Sequence, residues 1–138
     1  MKFTLPWLKE HLETEATPDE IAATLTNLGL EVEGIQDRTS ELAAFSVARV
    51  IEAVQHPNAD RLRLCRVETP SGEVQVVCGA PNARTGMFGI FAPVGSTIPA
   101  TGTVLTASKI RGVESRGMLC SALDLGLGEN HEGIVDLE

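Results

Sequence analysis

The sequence contains no tyrosine, one tryptophan and four phenylalanines, so aromatic residues make up only 4% of its 138 positions. That shortage excludes a surface that grips single strands by stacking successive bases on rings. Cysteine is scarce as well. Cys65, Cys78 and Cys120 are an odd number at wide spacings, which excludes a disulfide framework and points to free thiols in a reducing cytoplasm. Long apolar runs are missing, and none approaches the ~20 residues needed to span a membrane. The opening MKFTLPWLKEHLE has one early lysine but no apolar core and no small-residue cleavage site, so no secretory signal is expected. Bases are outnumbered, 11 Lys and Arg against 19 Asp and Glu, for a formal net charge of −8. That balance argues against a general polyanion binder.

What is present suits a folded domain. Apolar residues are 43% of the chain, enough for one core, so one domain or one plus a fragment is expected. The charge is unevenly spread. Residues 1–44 carry nine acids and three bases, residues 45–121 five acids and eight bases, and residues 122–138 five acids and no base. The corresponding nets of −6, +3 and −5 leave a locally basic middle between acidic ends, and an interaction with an anion belongs in that middle. The chain ends at Glu138 directly after the strand-like GIVDLE, which suggests a piece of a longer protein.

Two helices are predicted near the N-terminus. Thr4 and Pro6 suit an N-cap and a first turn, with Trp7, Leu8 and Leu12 as a short apolar stripe. Thr17-Pro18-Asp19-Glu20 reads as a capping box before Ile21, Leu25 and Leu28, with Gly29 placed to end the helix. LEVEGI (30–35) alternates like a strand, and DRTSE (37–41) reads as a polar linker. From Phe45 the period becomes two. Strands are expected near 45–54, 61–68, 73–78, 87–92 and 103–110, separated by turn signals such as His56-Pro57-Asn58 and Pro70-Ser71-Gly72. Five short strands in so short a stretch predict a five-stranded OB-fold barrel, with an SH3-like barrel as competitor.

Soft metal ligands exist in His56, Cys65, Cys78, Cys120 and His131, but no two are two to four residues apart as structural zinc ligands usually are. Cys78 falls on the Val74/Val76 face and suits a core position. No P-loop, GxGxxG or GxSxG occurs, so no reaction is expected of this chain itself. The arginines are more telling. In RLRLCRV, alternation puts Leu62 and Leu64 on one face and Arg61 and Arg63 on the other. Arg66 then lands on the leucine face, which calls for a bulge in the strand or a position past the barrel rim. A solvated strand whose arginines pair with Asp60 and Glu68 would account for this pattern. A second basic cluster, Lys109, Arg111 and Arg116, favours a groove that follows a phosphate backbone. With only Phe45, Phe88 and Phe91 in this region, such a groove would read the shape of a folded RNA rather than unstacked bases.

HPNADRLRLCRV (56–67), VVCGAPN (76–82) and KIRGVESRGMLCS (109–121) together resemble the tRNA-binding OB module shared by several synthetases and free-standing tRNA-binding proteins. The preceding MKFTLPWLKEHL and TPDEIAATLTNLGLEVEGI resemble the start of bacterial phenylalanyl-tRNA synthetase beta subunits. The resemblance implies a longer beta chain paired with an alpha subunit as α2β2, in which the alpha subunit activates phenylalanine with ATP and magnesium. It implies a non-catalytic, cytoplasmic tRNA-binding module with no cofactor of its own and no role for DNA or a membrane. It implies two parts, an N-terminal helical segment over 1–39, half of a split subdomain, and an OB-fold domain over 40–138. Asp60 is then expected to cap the turn before the second strand. Arg61, Arg63, Asn82, Lys109, Arg111, Ser115 and Arg116 are expected at tRNA, Gly112 and Gly117 at tight turns or close approaches to a ligand, and Met118 and Leu119 inside the barrel. Two alternatives remain: an architectural or subunit-contact OB domain of the same enzyme, and a free-standing tRNA-binding protein.

Overall fold

A computed structural model describes all 138 residues, which form two compact units, Met1–Asp37 and Arg38–Glu138. In the first unit α1 spans Leu5–His11 and α2 spans Pro18–Asn27. Thr4 caps α1 by accepting the Trp7 N–H at 3.3 Å. At α2 the Glu20 N–H reaches the Thr17 hydroxyl at 3.3 Å, and the Glu20 carboxylate accepts the Thr17 N–H at 2.8 Å. These hydrogen bonds to the ionised form hold the Glu20 carboxyl below the usual range. Gly29, at φ +91°, ends α2, where the Leu30 N–H returns to the Leu25 carbonyl and the Gly29 N–H to that of Thr26. That pair of bonds is the Schellman arrangement. The sequence signals for both helices are therefore realised. The expected strand at 30–35 is not: the segment forms no regular element, because this unit supplies no second strand to complete a ladder.

The second unit begins with a four-residue helix, α3, Arg38–Glu41, where a linker was expected. Its Arg38 guanidinium donates to the Gly126 carbonyl at 2.8 Å, and the following Leu42 and Phe45 pack under the domain. Then come β1 (Ser46–Gln55), β2 (Arg63–Thr69), β3 (Gly72–Cys78), β4 (Phe88–Ala92), β5 (Ser108–Ile110), β6 (Val113–Ser115) and β7 (Met118–Leu119). One curled antiparallel sheet has the order β3-β2-β1-β4-β7, while β5 and β6 form a separate hairpin. This is the expected five-stranded, OB-like architecture. Its fifth strand is β7, not residues 103–110. Of those residues only 108–110 are strand, and Val104 makes a single bridge to Thr97 in a loop.

A bulge lets β1 serve two neighbours. Its N-terminal half pairs with β4 (Val47 with Ile90, Arg49 with Phe88), and the rest pairs with β2 from Arg49 onward. The register shifts between Val50 and Glu52, which bends the strand and curls the sheet. The bulge anticipated for β2 is thus in β1. The faces are also reversed from simple alternation. Cys65, Val67 and Thr69 point inward, leaving Arg66 on the solvent face and Leu64 half-buried beside it. Ala48, Val50, Cys65, Val67, Val76, Cys78, Phe91 and Leu119 fill the main core, and Ala92, Ile98, Cys120 and Leu125 a second one. Met118 packs against the second, so the expected interior role of Met118-Leu119 holds. No helix is long and apolar enough to cross a membrane.

Residues 113–119 run from the free edge of β3 at one side of the sheet to β4 at the other, where they become β7. On the β3 side, the Arg116 N–H donates to the Gln75 carbonyl at 2.9 Å and the Gln75 side-chain amide to the Glu114 carbonyl at 2.8 Å. The Val77 N–H donates to the Ser115 hydroxyl at 3.1 Å, which in turn donates to the Gly117 carbonyl at 3.3 Å. On the other side β7 pairs with β4. Gly117, at φ +129°, permits the crossing, since a Cβ there would overlap the Phe91 ring and lie 2.8 Å from the Ala92 carbonyl oxygen. The close approach of this glycine is thus to Phe91 and the Ala92 carbonyl, a packing role within the chain rather than the approach to a ligand that the sequence suggests.

Three predictions arise from this packing. Ser115→Ala leaves the Val77 N–H without its acceptor at a site only 3% exposed. It should cost about 1–3 kcal/mol in denaturant unfolding, and a change within error would show that water serves the site equally well. Neither α1 nor α2 contains a buried residue, so their amides should exchange faster than those of β2 and β3; equal protection would contradict this. Finally, burial pushes the Cys65 and Cys120 thiols up to about 12 from an ordinary value near 9. A thiol raised in the folded state stabilises fully below its unfolded value, and that contribution is lost as pH rises. The melting temperature should therefore fall from about pH 9 upward. Cys65→Ala/Cys120→Ala should flatten that fall, and an unchanged pH profile in the double variant would refute the assignment.

Candidate nucleic-acid interface

The turn between β1 and β2 starts with a histidine that is only 2% exposed. His56 Nδ1 accepts the Asn58 N–H at 3.0 Å, so the ring proton sits on Nε2, which lies 3.0 Å from the Ile110 carbonyl oxygen and donates to it. Both ring nitrogens are thereby engaged in hydrogen bonds within the chain. One residue along the hairpin, the Arg111 carbonyl accepts from the Asn58 side-chain amide at 3.0 Å. The Gln55 amide closes the same turn by donating to the Ala59 carbonyl at 2.8 Å. The turn is held by Gln55, His56 and Asn58, and Asp60, expected to cap it, makes none of these bonds.

These contacts bring the tip of the β5–β6 hairpin to the end of the sheet where β2 begins. Arg61 is exposed within the turn itself, ahead of the strand. Arg63 is half-buried as the first residue of β2, facing Gln55 on one side and Cys78 on the other. Lys109 and Arg111 are exposed on the hairpin. Arg111 is the only non-glycine residue with positive φ, +51°, followed by Gly112 at +84°. Left-handed backbone at both central positions gives a two-residue hairpin the twist its strands need. For an arginine it costs about 1–2 kcal/mol.

The eight bases of the middle segment divide into two groups. Arg66 lies 3.5 Å from Glu73, Arg84 forms a two-pronged pair with Asp136 at 2.6 and 3.2 Å, and Arg116 lies 3.0 Å from Glu114. Asp136 holds the Arg84 guanidinium above its usual range. Arg49, Arg61, Arg63, Lys109 and Arg111 make no ion pair within 4.0 Å. Four of these five meet around the His56–Asn58 turn. Arg49 lies apart on the outer face of β1, opposite Glu68 and Phe88.

Three of the seven expected contact residues have other work. Asn82 uses its amide to hold Ile134, donating to its carbonyl at 2.8 Å and accepting its N–H at 3.0 Å. Ser115 is the buried closure hydroxyl, and Arg116 is neutralised by Glu114 two residues away. Asn82 and Ser115 use these polar groups within the fold, whereas Arg116 engages only its Nε and keeps an exposed guanidinium. Conversely, sequence inspection valued His56 as a conceivable metal ligand and, with Asn58, as part of a turn. It missed Gln75 altogether. Pro57 after a histidine marks a turn, but nothing local reveals which distant carbonyls that turn will grip. The three thiols are buried and raised, which leaves them protonated and inert near neutrality.

Residues 45–138 match the family model described as "Putative tRNA binding domain". Over 99% of its length the chain is 63% identical to the phenylalanine–tRNA ligase beta subunit of Cereibacter sphaeroides and 58% identical to that of Rhodospirillum rubrum. It spans 18% and 17% of the length of those two proteins. A crystal structure of a MetRS-related protein from Pyrococcus horikoshii matches with a TM-score of 0.51, covering 75% of this chain and 89% of that one at 22% identity. That likeness is one of fold. A barrel closed by 113–119, a cluster of unneutralised bases at its β1–β2 turn and a family match over 94 of its residues point one way: the chain belongs to the tRNA-binding domain family and is homologous to phenylalanine–tRNA ligase beta subunits.

Proposed function

We propose that the barrel binds the phosphate backbone of tRNA through Arg61, Arg63, Lys109 and Arg111, as a non-catalytic module of a phenylalanine–tRNA ligase beta subunit. The carrying observation is that four of the five bases left without an acid partner converge on one turn. A cluster of this kind attracts a polyanion locally even on an acidic chain, because charges beyond about 8–10 Å are screened at physiological salt. Exposed aromatics are sparse in the barrel unit, where only Phe88 is an exposed ring, which favours backbone contact over base stacking. In the assembled enzyme the module would raise the affinity of an α2β2 ligase for tRNA in the cytoplasm. Activation of phenylalanine with ATP and magnesium belongs to the alpha subunit in this proposal.

Binding of the isolated chain to tRNA should fall in the roughly 10⁻⁴–10⁻⁶ M range of sequence-independent contacts and weaken as salt rises. Arg61→Ala/Arg63→Ala should weaken it for cognate and non-cognate tRNA alike and reduce the salt slope by about two. Its melting temperature should hold, since neither arginine is in an ion pair. Wild-type affinity and slope in this variant would remove tRNA from this surface and favour a protein contact instead.

A further inference from the structure

We infer that His56 and Asn58 are positioning residues of the RNA site: they touch no ligand, but fix the hairpin tip so that the two basic clusters act as one preorganised phosphate site. This rests on the proposed tRNA contact and adds the residues that build it. Lys109 and Arg111 sit on a hairpin outside the five-stranded sheet. The base of that hairpin is tied to β3 through Gln75 and Ser115. Its tip is held to the β1–β2 turn by two bonds, from His56 to the Ile110 carbonyl and from Asn58 to the Arg111 carbonyl.

Three features support the assignment. The bonds grip consecutive carbonyls, so they set the direction of the backbone at Arg111 as well as its distance. The gripped residue holds the one left-handed non-glycine conformation in the chain, and such conformations persist where the surroundings over-determine them. The gripping side chains are themselves locked: His56 is 2% exposed, and its Nδ1 is held by the Asn58 N–H. A site assembled in advance binds more tightly than one whose loops must be ordered on contact.

A double-mutant cycle tests this with the whole 138-residue chain and tRNA as the probe. Asn58→Ala should lower affinity and reduce the salt slope by about one, like Arg111→Ala. The combined variant should lose no more than either single change, because residues acting as a unit are not additive. His56→Ala should behave like Asn58→Ala, and His56→Gln, which retains a side-chain N–H donor, should recover binding. Partial unfolding is distinguishable, because a smaller folded fraction lowers affinity equally at every salt concentration and leaves the slope unchanged. A lower affinity with an unchanged slope, additive losses, or wild-type binding by Asn58→Ala would each overturn the inference. If Arg111→Ala itself binds as wild type while Arg61→Ala/Arg63→Ala does not, the hairpin is outside the site and the inference fails while the tRNA proposal stands. If neither variant is impaired, the tRNA proposal falls first.

Discussion

The structure depends on how one stretch, residues 108–119, is held across a sheet that cannot close by itself. A curled five-stranded sheet exposes two edges, and each edge presents unpaired N–H and C=O groups. Here the β3 edge is satisfied by a mixture of side chain and backbone from residues 114–116, with the Ser115 hydroxyl accepting where a strand carbonyl would, before the same stretch pairs with β4 as β7. Gly117 makes the crossing possible because only a residue without a Cβ fits against Phe91. The chain that closes the barrel is the same chain that carries Lys109 and Arg111, so closure and the basic site are one construction.

Charge follows the same plan. The chain is acidic, and three of its 19 acids neutralise scaffold arginines: Glu73 on Arg66, Asp136 on Arg84, Glu114 on Arg116. Exposed pairs of this kind add little stability, about 0–1 kcal/mol each. Their consequence is electrostatic, since four of the five bases left unneutralised then lie around the β1–β2 turn. The acidic segment 122–138 is itself built into the fold through Val135 and Leu137, whose N–H groups bond to the Cys120 and Phe88 carbonyls. It is a structural strap with a net charge that repels a polyanion at its own location.

Features encoded over a few residues were readable from the sequence. The Thr17–Glu20 capping box, the Gly29 terminus and four of the sheet strands follow from local chemistry, and they are where the sequence puts them. Features that depend on distant partners were not. LEVEGI alternates as a strand should, but alternation cannot supply a neighbour. Residues 103–110 look as strand-like as Met118-Leu119, and only the geometry of closure selects the latter. The arginines of RLRLCRV were placed by parity from Leu62 and Leu64, whereas the core took Cys65 and Val67, and the bulge in β1 set the register. Within the site, basic residue types were legible, but neutralisation was not: Arg116 and Arg61 look alike until Glu114 is seen beside one of them. Asn82 and Ser115 were noticed for their polarity, which the fold uses internally.

The most direct test of the central claim is a residue-by-residue map of where tRNA touches the barrel, by backbone amide chemical-shift changes on titration. The account predicts the largest changes at 58–63 and 109–112, with smaller ones at His56 and Gln55 behind them. It predicts little at Val47, Arg49 and Phe88 on the outer face or within 122–138. Changes concentrated on that outer face, with the His56–Asn58 turn silent, would contradict it.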